Sequence, residues 1–176
     1  MARLPYKKPG SSPAADQLYA DITRMGRPVL NLYQVLANQP PALEAFLGMS
    51  RYVRSASTLD AGLRELAILA TAAELGQEYE LLHHTDAAQQ AGVDAAKVAV
   101  VKSGGSLEAL SQEERCAVDF ARQAARTRSC DDATFHRLET LFSKGQIVDL
   151  VVTTAWYHLC AVILGSLRVE LEAETR

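Results

Sequence analysis

Apolar side chains recur along most of this chain at steps of three and four, the spacing that gathers them on one face of an α-helix. Leu63, Leu66, Ala67, Ala70 and Ala73 trace such a face. Asp60 stands where an N-cap is needed and Gly76 where a helix stops. A further helix is predicted over 77–92, closed by Gly92, and a short one after Asp94. Ser111 and Glu114 form an S-x-x-E capping box ahead of "RCAVDFARQAAR", and Asp131 or Asp132 can cap "ATFHRLETLF". Upstream, Pro28 can open a helix through "VLNLYQVLAN", and Pro40-Pro41 ends it and starts another. The last helix is predicted from Gln146 towards Glu172. Strand-like alternation and Asn-Gly hairpin turns are absent. The expectation is an all-α chain of seven or eight helices: a loose Pro/Gly/Ser-rich arm over 1–27 and a single helical domain over 28–176.

Composition narrows the class. With 176 residues, 48 % of them hydrophobic, the chain can bury a core without disulfides or a structural metal. A net charge of −3 offers no polyanion footprint, and Arg122, Arg126 and Arg128 read as a solvated helix end, so no nucleic-acid partner is expected. Cys116, Cys130 and Cys160 are widely spaced without a CxxC pair, which argues against a disulfide scaffold and a thiolate zinc site and suits a reducing cytoplasm. Residues 147–167 are apolar enough for a membrane span, but Asp149 and His158 interrupt them. A helix buried in the protein or in a subunit interface is therefore expected rather than a membrane partner. Because that helix is apolar around most of its circumference, self-association as a homo-oligomer is expected too.

The candidate chemistry lies in "ELGQEYELLHH", residues 74–84. Gln77, Glu80 and His84 share one helix face, and Glu65 comes from the preceding helix. Two carboxylates around one imidazole would couple their proton affinities and hold a proton near neutral pH. On a solvated face the same Glu–His pair would be worth only a few tenths of a kcal/mol. His83 points about a quarter-turn away from His84, and a His-His pair without a third ligand gives no metal signal, so no metal is expected. Trp156, Tyr157 and His158 on the last helix read as packing residues and His136 as exposed.

The segment "LRELAILATAAELGQEYELLHHTDAAQQAGV" resembles the signature region of the carboxymuconolactone decarboxylase and alkyl hydroperoxidase D superfamily. The resemblance implies an all-α fold of the alkyl hydroperoxidase D type. It aligns Glu65 with the family's proton-relay glutamate and His84 with the histidine that closes the motif. Gln77 and Glu80 fall where the peroxidase branch carries its two redox cysteines, and Tyr79 where it carries a further histidine. Without those thiols, attack on a peroxide is not expected. The decarboxylase branch, with its Glu-x-x-x-His spacing, is the nearer likeness, although the sequence after Gly92 departs from it.

The resemblance implies a cofactor-free lyase or isomerase acting on a small carboxylic or lactone acid. Glu65, Glu80 and His84 would be catalytic; Gln77, Tyr79 and Arg64 would hold the substrate, with Arg51 as another candidate for its carboxylate. A non-catalytic ligand-binding or assembly role is the alternative, and a peroxidase the third reading.

Overall fold

The computed structural model describes residues 1–172 and contains, among them, nine α-helices and one π-helical turn, with no strand. Its contacts fall into two compact units. One comprises Met1–Ser55 with the segment from Val162 onward, and the other Ala56–Ala161.

In the first unit α1 (Pro13–Arg24) and α2 (Asn31–Leu36) each pack on α3 (Pro40–Arg51), which continues into the π-helical turn Tyr52–Ala56. Residues 1–27, expected as a loose arm, thus contain a helix. Ser12 caps it by accepting from the Ala15 N–H, Pro13 occupies its first turn, and Ala15, Tyr19 and Ile22 bury one face. The helix expected from Pro28 begins three residues later. Leu30 is extended, at φ −67° and ψ 157°. The Asn31 N–H donates to Glu172 Oε1 at 2.8 Å and its side-chain amide to the Glu170 carbonyl at 3.0 Å. The final helix is correspondingly shorter than expected. Arg168 turns left-handed at φ 51°, the Val169 N–H closes back on the Leu164 carbonyl, and helicity ends at Leu167.

The second unit is built around α4 (Ala61–Glu74), which packs against α5 (Glu78–Gln90), α6 (Ala95–Ser103) and α7 (Gln112–Thr127); α8 (Asp132–Leu141) packs on α7. Its caps follow the sequence signals. Asp60, Asp94 and Asp131 each accept a backbone N–H at a helix start. Ser111 and Glu114 close both halves of their capping box. Leu66, Leu69, Ala70, Ala117, Val118, Ala121, Leu138 and Leu150 form the centre of the core. Ten residues of α4 are buried, so the helix that carries Glu65 is covered on nearly every side.

Helix α9 (Lys144–Leu167) is long and apolar enough to cross a membrane by length and composition, and half of its most apolar stretch is buried. Leu150, Tyr157 and Cys160 are buried, whereas Val148, Val151 and Leu159 are exposed. Asp149, which interrupts the apolar run, is buried and accepts from both the backbone N–H and the hydroxyl of Thr58 at 2.7 Å.

Candidate functional site

The α4–α5 turn sets the geometry of the site. Gly76 adopts φ 63°, a left-handed conformation that glycine takes at little cost. The Gly76 N–H donates to the Ala73 carbonyl and the Gln77 N–H to the Ala72 carbonyl, the paired bonds of a Schellman stop. This reversal lays α5 against α4. Gln77 becomes the N-cap of α5 rather than a first-turn residue, and Glu80 and His84 then lie one above the other on a buried face.

Glu65, Glu80 and His84 converge. His84 is 2 % exposed, Glu65 3 % and Glu80 5 %. His84 Nδ1 lies 2.5 Å from Glu65 Oε2, and His84 Nε2 lies 3.3 Å from Glu80 Oε2. Burial disfavours the charged ring, but the hydrogen bonds and negative charge of Glu65 and Glu80 outweigh it and raise the His84 pKa above its ordinary value. The geometry therefore favours an imidazolium held between two carboxylates.

Arg64 Nε stands 3.6 Å from Glu65 Oε1, with its side chain 13 % exposed. Gln77 is engaged elsewhere, its side-chain amide donating to the Ala161 carbonyl at 3.2 Å. Tyr79 is buried and packs its ring on His83, with centroids 4.6 Å apart. The quarter-turn separation of His83 from His84 is thus realised in space. Arg51, the other clamp candidate, belongs to the first unit.

Sequence reasoning assigned Tyr157 to packing. Its hydroxyl lies 3.0 Å from His84 Nε2, and the two rings meet edge to face with centroids 4.9 Å apart. No local motif marks it, because 73 residues separate it from His84. The available signal was a tyrosine within an apolar helix, where a buried phenol needs a polar partner.

No group of three or more His, Cys, Asp or Glu side chains able to hold a metal ion occurs among the described residues. The two carboxylates bind opposite nitrogens of one ring and do not converge on a shared point in space. No disulfide joins Cys116, Cys130 or Cys160. A cavity of about 450 Å³ bordered by Asp60, Lys97 and Glu114 lies elsewhere in this unit, and the Lys97–Glu114 ion pair at 2.8 Å sits in its wall.

The described residues fold as an all-helical protein of the alkyl hydroperoxidase D type. The sequence profile of the carboxymuconolactone decarboxylase family matches residues 40–123, which include Glu65, Glu80 and His84. Over those residues the chain is similar to that family. No curated protein sequence matches it.

Solved structures share the fold. The debrominase Bmp8 superposes with a TM-score of 0.82 at 16 % identity, covering 97 % of this chain and 92 % of its own. An uncharacterised peroxidase-related protein with an alkylhydroperoxidase AhpD core from Ralstonia eutropha JMP134 gives 0.81 at 20 % identity, covering 99 % and 94 %. ATU0492 from Agrobacterium tumefaciens, a protein of unknown function described as a putative antioxidant defence protein AhpD, gives 0.70 at 16 % identity, covering 78 % and 94 %.

Proposed function

We propose that this protein is a cofactor-free proton-transfer lyase or isomerase acting on a small carboxylic or lactone acid through Glu65, His84 and Glu80. The observation that carries this reading is the buried imidazole with one carboxylate on each nitrogen, at 2.5 Å and 3.3 Å. General acid–base catalysis needs a group that changes protonation near the working pH and sits within hydrogen-bond reach of the reacting atoms. In this reading Glu65 fixes the ring and supports its charge. The proton on Nε2 moves by way of Glu80, whose side chain is the most open of the three at 7 %. In a decarboxylation the C–C bond to the departing carboxylate breaks, CO2 leaves, and the electron pair enters the conjugated system of the substrate. The substrate carbon then takes the proton. Arg64, beside Glu65, is the candidate clamp for the substrate carboxylate. Gln77 and Tyr79 would line the approach only by leaving the contacts they now make.

The test is turnover on a panel of lactone acids and β-keto acids, with solvent deuterium incorporation into the product. Wild type is expected to turn over at least one member and to place one deuteron on carbon. Glu80→Gln is expected to lower kcat about 10²-fold or more, and His84→Ala to remove activity. Equal turnover in wild type and His84→Ala would refute the reading.

A second reading, a non-catalytic ligand-binding or assembly member of the family, draws support from the closure of the cluster. A fully buried Glu–His–Glu group can serve stability alone. It predicts no deuterium incorporation with any panel member, and destabilisation without kinetic change in the same variants. A peroxidase role finds no support at the motif, where Gln77 and Glu80 replace thiols.

A further inference from the structure

We infer that Tyr157 is a positioning residue of the cluster: its hydroxyl is the donor that allows His84 to give up its Nε2 proton and take it back. Its kinetic consequence rests on the proton-transfer reading; the hydrogen bond itself does not.

The groups facing His84 are Glu65 from α4, Glu80 from its own helix α5, and Tyr157 from α9, with Arg64 behind Glu65. As an imidazolium, His84 donates from Nδ1 to Glu65 and from Nε2 towards Glu80 Oε2 and the phenol oxygen of Tyr157. When the Nε2 proton leaves, the ring is neutral, with its remaining hydrogen on Nδ1 and a lone pair on Nε2. A carboxylate accepts and cannot donate, so Glu80 then faces that lone pair with like polarity. A hydroxyl both donates and accepts. At 3.0 Å the Tyr157 O–H can rotate its hydrogen onto Nε2 and satisfy it. Both atoms are buried, so an unpaired nitrogen there would be costly. Tyr157 therefore stabilises the deprotonated ring and keeps His84 from being fixed as a permanent cation between two anions. Tyr157 itself neither gains nor loses a proton over the cycle. Only its hydroxyl hydrogen changes direction.

The experiment is NMR titration of protein labelled with ¹⁵N-histidine, which reads the charge and tautomer of His84 without any substrate. In wild type the neutral ring should carry its hydrogen on Nδ1. Tyr157→Phe keeps the ring packing and removes the donor, and the His84 midpoint should rise by roughly half to one pKa unit. Replacing Tyr157 with 3-fluorotyrosine makes a stronger donor, and the midpoint should fall. A group that only fills space would leave the midpoint unmoved in both variants, and that result overturns the inference. So does a wild-type neutral ring protonated on Nε2. Should Tyr157→Phe fail to fold, the fluorotyrosine protein decides alone.

On any substrate turned over by wild type, Tyr157→Phe should lower kcat with little change in KM. Opposite midpoint shifts with no turnover on any panel substrate would overturn the proposed function while leaving this assignment in place.

Discussion

His84 is the residue at which burial and charge compete most directly. Desolvation alone would push its pKa down, and two adjacent carboxylates reverse that. A histidine pKa raised on folding contributes stability in full below its unfolded value, near 6.5. That contribution is lost as pH rises through the folded value. Thermal melts from pH 5.5 to 9 should therefore show wild type losing more of its Tm with rising pH than His84→Gln does. Parallel curves would show that the ring gains nothing from its partners. Glu65→Gln tests the same pair from the other side. Removing one charge from a buried pair should cost about 3 kcal/mol, roughly 10 °C in Tm. It should also lower the His84 midpoint, because the nearest anion is gone. Loss of stability with an unchanged midpoint would mean that Glu65 acts by packing.

The helices show what was legible in the sequence and what was not. Caps and stops are local, and Asp60, Asp94, Asp131 and the Ser111–Glu114 box occupy the positions their side-chain chemistry predicts. Loss of the box through Ser111→Ala should cost about 1 kcal/mol in urea unfolding, as an unfilled N-cap does. The convergence of Glu65 and Glu80 on His84 was also legible, because all three lie within two consecutive helices joined by a glycine stop. Three features escaped. The Ser12-Pro13 start of α1 carried a cap signal that the surrounding Pro, Gly and Ser obscured. The end of α9 depends on Arg168 turning left-handed, which an arginine does not advertise. Tyr157 meets His84 only through long-range packing.

Asp149 is the instructive intermediate case. The sequence marks it as an interruption of an apolar run; the structure supplies its reason, a double hydrogen bond to Thr58. Asp149→Ala should remove the acceptor of both Thr58 donors and cost about 1 kcal/mol, and Asp149→Asn, which keeps one acceptor oxygen, should cost less.

At the scale of the whole molecule, a fold shared with peroxidase-related structures has to be set beside a sequence with no cysteine at positions 77 and 80. The chain superposes over nearly its full length on structures that include a peroxidase-related protein, at identities that carry the fold alone. Thiol peroxidase chemistry needs an accessible, low-pKa cysteine with a second thiol to resolve the sulfenic acid. Here Cys116 and Cys160 are buried. Burial raises the Cys116 thiol, and burial with the neighbouring Asp131 and Asp132 raises that of Cys130. Neither is poised as a thiolate at neutral pH. A native-state titration with a thiol reagent should therefore label Cys130 first and slowly, with Cys116 and Cys160 reacting only on unfolding. Hydrogen peroxide at equimolar dose should produce no intramolecular disulfide, and the protein should not consume peroxide in the presence of dithiothreitol above the rate of dithiothreitol alone. Rapid peroxide consumption that survives His84→Ala would place the chemistry at a cysteine outside the signature helices and detach function from the Glu65–His84–Glu80 cluster. Slow labelling with no peroxide turnover would remove the peroxidase reading and leave the proton-transfer and non-catalytic readings to be separated by turnover.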